Sequence, residues 1–327
     1  METFRTIIQP DKPKHNISFH TKSLFMGSCF TNHIGGHLQE LKLPVQINPF
    51  GVQYNPFSVL NSLKIIHLKQ YFSENDIHFF NERWVSFYHH SDFSFKDKET
   101  CLSSINKTIH QSHDFFKQID FLFITFGTAW AYRYNKTGNI VTNCHKIPAE
   151  EFTHILIEPE AIVDAYLKLI KNLQKQAPNL HIIFTISPIR HLKDGAVNNQ
   201  LSKSILFLAV HRLINALPNC SYFPAYEIVM DDLRDYRFYT SDMIHLNDLA
   251  ISYINNRFFD AFIEPETQEI VKEIKKIKTA MEHKPRFPES KEFKRFIEQN
   301  IQKINSLHQK YPFLDLEKEK THFLQYM

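Results

Sequence analysis

The chain has 327 residues, 43% of them hydrophobic, enough to bury a full core, which excludes disordered, collagen-like and coiled-coil readings. Its 38 Lys and Arg against 35 Asp and Glu leave a net charge of +3 spread along the chain, so the footprint of a dedicated nucleic-acid binder is missing. Four scattered cysteines without a C-x-x-C pair argue against a zinc site and a secreted disulfide scaffold, and fit a reducing compartment.

The first residues, METFRTIIQPDKPKHN, contain no apolar stretch of signal-peptide length, and nowhere do 18 apolar residues run together. A cytoplasmic protein with no membrane partner is expected. Short apolar runs then alternate with helical patterns. Residues 24–26 precede a helix-like 30–41, and 45–47 precede 57–68. A long polar helix ending near Gln118 leads into the apolar run 121–126. Asn135-Lys136-Thr137-Gly138-Asn139 reads as a hairpin turn between strands 130–134 and 140–142. Residues 158–176 carry Ile162, Tyr166, Leu169, Ile170 and Leu173 at helical spacing, followed by a strand at 181–186 and helices at 201–217 and 249–262. Strands separated by helices predict an α/β fold whose mainly parallel sheet is covered on both faces. Ligands bind beyond the carboxyl ends of such strands, where Gly27-Ser28, Gly127-Thr128 and Ser187-Pro188 fall.

After about residue 264 the texture changes. Residues 265–282 place Ile270, Ile274, Ile277 and Met281 on one stripe, and 290–307 repeat the pattern with Phe293, Ile297, Ile301 and Ile304. The chain is therefore divided into a domain at 1–264 and a helical extension at 265–327, which packs on the core or, in a homo-oligomer, on a second subunit.

Only seven glycines occur, so each is expected where the backbone demands one. Gly35 and Gly36, inside a helical pattern, suggest close packing. Gly27, Gly51 and Gly127 follow an apolar run or an Asn-Pro-Phe turn and are candidates for an active-site rim.

Two segments carry candidate chemistry. Leu24-Phe25-Met26-Gly27-Ser28-Cys29-Phe30 is a strand that ends in Gly-Ser and opens a helix, which puts a hydroxyl beside free N–H groups and the positive end of a helix dipole. The same residues also read as a plain helix cap. Asp242-Met243-Ile244-His245 can orient an imidazole within one turn and leave Nε2 free to serve as a base, or it can be a capped turn beside an exposed histidine. Cys29 is either a second nucleophile or a small buried residue. Cys144 with His145 lacks further ligands at metal spacing, so neither a metal nor any other cofactor is expected. Arg190, His191 and Lys193 lie on the ligand edge, either holding a substrate carboxylate or phosphate or forming a solvated loop. Trp84, Tyr88, Trp130 and Tyr132 offer the lining of a sugar-binding cleft.

Taken together, these segments resemble the SGNH/GDSL hydrolase superfamily, and more closely its GSCFA-domain branch. The Gly-Ser-Cys-Phe-Ala run of that family reads Gly27-Ser28-Cys29-Phe30-Thr31 here. Asn48-Pro49-Phe50-Gly51-Val52-Gln53-Tyr54-Asn55-Pro56, Phe126-Gly127-Thr128-Ala129-Trp130, Asn143-Cys144-His145-Lys146, Ser187-Pro188-Ile189-Arg190-His191 and Asp242-Met243-Ile244-His245 resemble further blocks of it. The resemblance covers roughly residues 20–262.

It implies a three-layer α/β/α, flavodoxin-like fold with Ser28 as nucleophile, His245 as base and Asp242 as its orienter. An oxyanion hole from the Ser28 and Gly51 N–H groups is implied as well. The superfamily's third donor, an Asn side chain, falls on Ala129, so either Asn55, Thr128 or Asn143 supplies a substitute or the site works with fewer donors. Substrate contacts are expected from Trp130, Asn143, His145, Arg190 and His191. The implied activity is hydrolysis of O-acyl esters, of carbohydrates or other small molecules, through an acyl-enzyme. Transfer of the acyl group to a sugar or alcohol by the same residues, and a binding module without turnover, are the alternatives.

Overall fold

Five parallel strands form the central sheet of the computed structural model, which describes residues 5–326. β1 (Ser23–Gly27) runs into α1 (Cys29–Glu40), and β2 (Val45–Ile47) is followed by α2 (Pro56–Leu68). A small hairpin of β3 (His78–Phe80) and β4 (Arg83–Val85) precedes α3 (Lys98–Phe116) and the central strand β5 (Phe121–Phe126). β6 (Trp130–Tyr134), β7 (Ile140–Val141) and β8 (Phe152–Leu156) form a separate antiparallel sheet between β5 and α4 (Pro159–Gln176). The core then closes with β9 (His181–Ile186), α5 (Gly195–Ala216), β10 (Cys220–Tyr222), a short turn α6 (Ala225–Glu227) and α7 (Asp248–Phe262). The strand order β2-β1-β5-β9-β10 places β1 and β5 side by side at the centre, with Gly27 in register with Thr125.

Every residue of β1 and β5 is buried, the unbroken apolar pattern of parallel strands covered on both faces. Alternation along each strand sends Leu24, Met26, Leu122 and Ile124 to a cluster with α2, α3, α4 and α5. Phe25 and Phe123 go to the opposite cluster with α1 and α7, where their rings stack with centroids 4.2 Å apart. The expected three layers are thus present. β10, the β3–β4 hairpin and β8 were not anticipated: each is short and carries little of the apolar periodicity that marks the longer strands.

The carboxyl-terminal region is helical, as expected, with α8 (Pro265–Met281), α9 (Lys291–Lys310) and one further helix, α10 (Glu317–Leu324). The sequence EKEKTHFL of α10 buries only Glu319 and Phe323, too little for a readable stripe. Ile270, Ile274, Ile277, Phe293, Ile297 and Ile304 join Phe25, Ile34, Leu38 and Phe258 in one cluster, so the stripes are spent on this chain's own core. Lys278 with Glu40 (3.0 Å) and Lys42 with Glu319 (2.8 Å) pin the extension near the end of α1. Among the described residues no helix is long and apolar enough to cross a membrane.

Candidate active site

The end of β1 is the most constrained backbone in the site. Gly27 has φ +132°, and a Cβ there would lie 2.0 Å from the Thr125 carbonyl oxygen, so only glycine fits against β5. Its N–H donates to Asn48 Oδ1 at 2.8 Å and its carbonyl accepts from Gln53 N–H at 2.9 Å, fixing the turn that presents Ser28. Ser28 is the N-cap residue of α1 and makes no capping bond with its side chain. Its Oγ is buried and has no hydrogen-bond partner among the described residues. A buried hydroxyl without a partner costs stability, so a position that keeps one is a candidate for chemistry.

The second segment is a closed turn. Thr240 N–H donates to the His245 carbonyl at 2.8 Å, Tyr239 bridges to Leu246, and Met243 takes a left-handed φ of 58° to complete the reversal. Asp242 Oδ1 accepts from the Ile244 and His245 N–H groups at 2.8 and 2.9 Å, which leaves Oδ2 to meet His245 Nδ1 at 2.6 Å. That imidazole bond is the largest of several that hold the Asp242 carboxyl well below the usual carboxylate range, followed by the two amides and the Thr240 hydroxyl. Ser28 and His245, from the two ends of the core, line the same cavity of about 550 Å³.

This cavity sits at the carboxyl ends of β1, β5 and β9, where a doubly wound sheet places its ligands. Trp130, Tyr132 and His154 from the antiparallel sheet form one wall, and Ile189 to Asp194 from the loop after β9 form another. His154 stacks between Trp130 and Tyr132 with centroids 4.6 Å from each, making that wall flat and aromatic. Trp84 and Tyr88, grouped with these two in the sequence, pack against the core instead.

Several expected oxyanion donors are engaged elsewhere. Ser28 N–H continues the sheet ladder and donates to Thr125 O at 3.1 Å. Gly51 lies outside the cavity lining: its N–H donates to Asn48 O at 2.8 Å, and its missing Cβ makes room for His90, whose Cβ would stand 2.1 Å away. The Gly127 and Thr128 N–H groups both donate to the Tyr54 carbonyl, and Thr128 Oγ1 bonds Ser202 Oγ at 3.0 Å. Asn55 lines the cavity while capping α2; its Oδ1 accepts from Ser58 N–H at 2.9 Å and its Nδ2 donates to Ser58 Oγ at 2.9 Å, which leaves one amide hydrogen without a partner among the described residues. The amides of Cys29 and Phe30 open α1 beside the Cys29 sulfur.

Trp130, Arg190 and His191 line the cavity as expected, whereas Asn143 and His145 do not. Asn143 Oδ1 accepts from His145 N–H at 2.9 Å, and His145, in a left-handed conformation, turns its Nε2 to the Ser86 carbonyl at 2.7 Å. Both residues build the bend after β7 and stand outside the cavity lining. Burial raises the Cys29 thiol and pushes Cys144 up to about 11, so neither favours a thiolate. Among the described residues no group of three or more His, Cys, Asp and Glu is placed to hold a metal.

The sequence reading missed Ser202 and Lys203. Ser202 Oγ accepts from the Ala129 backbone N–H at 2.7 Å and, like Ala129 itself, lies outside the cavity lining, so this hydroxyl from α5 holds the end of β5 and does not stand in for the expected Asn side chain. Lys203 is 1% exposed and donates to the Gly127 and Ser187 carbonyls at 2.7 and 2.6 Å, tying the ends of β5 and β9 together beneath the cavity. Burial, with Arg190 nearby, lowers its ammonium to about 7. The available signal was three polar residues, Asn199, Ser202 and Lys203, on the stripe of α5 that continues as Leu206, Ala209, Val210 and Leu213.

Residues 22–258 match the model of the GSCFA family. The chain belongs to that family. Residues 274–327 match a second model, described as the GSCFA domain protein C-terminal domain, so α9, α10 and part of α8 belong to the GSCFA pattern as well. A solved structure similar to this GSCFA chain is an acetyl xylan esterase, Est2A, from the rumen bacterium Butyrivibrio proteoclasticus. It is 12% identical, covers 73% of this chain and has a TM-score of 0.36; the GSCFA chain spans 63% of that esterase's length. No curated protein matches the GSCFA sequence.

Proposed function

We propose that this GSCFA chain is a serine hydrolase of O-acyl esters, with Ser28 as nucleophile, His245 as general base and Asp242 holding the imidazole. The observation that carries the reading is the shared cavity: an unpartnered, buried Ser28 hydroxyl and an imidazole already bound through Nδ1 to a carboxylate face one space. With Nδ1 engaged, Nε2 is the nitrogen left to take the Ser28 proton as the hydroxyl rotates toward it and attacks the acyl carbon. The tetrahedral oxyanion is held by the Cys29 N–H at the start of α1, helped by the dipole of that helix, and by the unused hydrogen of Asn55 Nδ2. His245 then returns the proton to the departing alcohol, and water repeats the sequence to release the acid.

A fluorophosphonate probe tests the reading directly. Wild type is expected to label covalently, with the adduct on Ser28 by peptide mass, and Ser28→Ala is expected not to label. Equal labelling of both, or none of the wild type, removes the proposal.

A further inference from the structure

The cavity is electrically one-sided. Its one lining carboxylate, Asp194, faces His154 Nδ1 at 3.8 Å, and the Lys193 ammonium donates to Tyr132 Oη at 2.8 Å. Arg190 is different. Among the described residues its guanidinium has no carboxylate partner, and its hydrogen-bonding contact is the Met230 sulfur at 3.7 Å, a weak acceptor for a group with five N–H donors. Lys203, a second basic group with no carboxylate partner among the described residues, lies close enough to the guanidinium for its own charge to be disfavoured. The half-buried guanidinium, with no carboxylate to offset it, raises a positive potential in a space walled by Trp130, Tyr132 and Ile189. Lys203 is already committed to two carbonyls and does not line the cavity, and the lining Lys193 is held on Tyr132 beside Asp194, so the lining cation with neither a strong acceptor nor a nearby carboxylate is Arg190.

We propose that the substrate is an ester bearing an anionic group, a carboxylate or a phosphate, and that Arg190 is the residue that holds this group while the ester carbonyl lies at Ser28. This rests on the serine-hydrolase reading for the chemistry, and on the unpaired Arg190 guanidinium alone for the anion. A planar guanidinium recognises either anion through two parallel hydrogen bonds, and a partly desolvated site strengthens them. A neutral sugar ester of the same shape leaves the Arg190 charge uncompensated.

The test compares matched activated esters. p-Nitrophenyl butyrate is neutral, and mono-p-nitrophenyl succinate carries a carboxylate on the acyl side. 4-Acetoxybenzoate and 4-acetoxyphenyl phosphate carry a carboxylate and a phosphate on the alcohol side, with phenyl acetate as their neutral reference. At least one anionic ester is expected to exceed its neutral partner in kcat/KM by about 10- to 100-fold, and the preferred arm identifies which anion and which side of the ester is read. Arg190→Gln is expected to collapse that ratio toward one and Arg190→Lys to retain part of it. No preference in wild type, or an undiminished ratio in Arg190→Gln, overturns the proposal. Titration of the full chain with succinate and with inorganic phosphate reads the subsite without turnover. Binding that Arg190→Gln abolishes supports the subsite even when no ester is hydrolysed, an outcome in which only the hydrolase reading fails. Absence of binding, together with absence of turnover, overturns the subsite too.

Discussion

Asp242 Oδ2 lies 2.6 Å from His245 Nδ1, while Oδ1 of the same carboxylate accepts the two amides of its own turn. One side chain therefore fixes both the loop and the tautomer. Because those bonds hold the Asp242 carboxyl below its ordinary range, its charge is fully present above about pH 4 and is lost only in stronger acid. Since Asp242 keeps its charge there, the acid limb of the rate profile is expected to have a slope of about one and not two. Asp242→Asn is expected to lower kcat by about 10²- to 10⁴-fold, since the amide no longer selects the productive tautomer. A wild-type rate that stays flat down to about pH 4, or an acid limb of slope two, contradicts the assignment.

Lys203 supplies a stability signature of opposite chemistry. Its folded value of about 7 lies below the ordinary lysine value of 10.5, so between those limits the unfolded chain binds more protons than the native one. Native stability from this group therefore rises with pH from about 7 to about 10.5 and is constant below that window. Lys203→Met removes the effect. The difference in unfolding free energy, wild type minus Lys203→Met, is expected to grow as pH is raised through the window, as measured by denaturant midpoints at matched ionic strength. Parallel curves for the two proteins would show that Lys203 titrates normally.

How much of this was legible in the sequence follows from range. The strands β1, β5 and β9 are buried on both faces over nearly all their length, so their near-continuous apolar runs mark them with no knowledge of partners. The Asp242-to-His245 bond lies within one turn, so spacing makes it one of two local readings, and the other, a capped turn, is present as well in the bonds of Oδ1. The backbone after β5 behaves otherwise. Ser202 reaches Ala129 across 73 positions, and Lys203 reaches Gly127 across 76. Contacts of that separation depend on how α5 seats against β5, which no local pattern encodes. Gly51 shows the converse error: a glycine was read as a donor at the rim, but the need it answers is room for His90.

The glycines give a paired test. At Gly27 the φ of +132° and a Cβ position 2.0 Å from Thr125 O leave no room for relaxation between two central strands. Gly27→Ala is expected to lose more than about 3 kcal/mol, or to fail to accumulate as folded protein. At Gly36, on the same helix as Gly35, an added Cβ meets nothing within 4 Å. Gly36→Ala is expected to stabilise by about 0.5–1 kcal/mol through helix propensity and the reduced freedom of the unfolded chain. Melting temperatures moving in opposite directions verify both; a destabilised Gly36→Ala would mean that the glycine serves something other than packing space.

Ser202 closes the site from behind, and its worth is measurable apart from any activity. Its Oγ is the acceptor for the Ala129 N–H at 2.7 Å and bonds Thr128 Oγ1 at 3.0 Å, both in a region where Ala129 is fully buried. Ser202→Ala strands the Ala129 amide without an acceptor, and an unsatisfied buried donor costs about 1–3 kcal/mol. Ser204, two positions along α5, is the control: its hydroxyl is exposed and bonds only the Gln200 carbonyl of its own helix at 3.0 Å. Ser204→Ala should stay within about 0.5 kcal/mol of wild type. The expected result is a lowered denaturant midpoint for Ser202→Ala at an unchanged m-value, because the loss is local to one amide and leaves the surface exposed on unfolding the same. Equal midpoints for the two variants would place water or another acceptor at the Ala129 N–H and take from Ser202 the role of holding the backbone after β5.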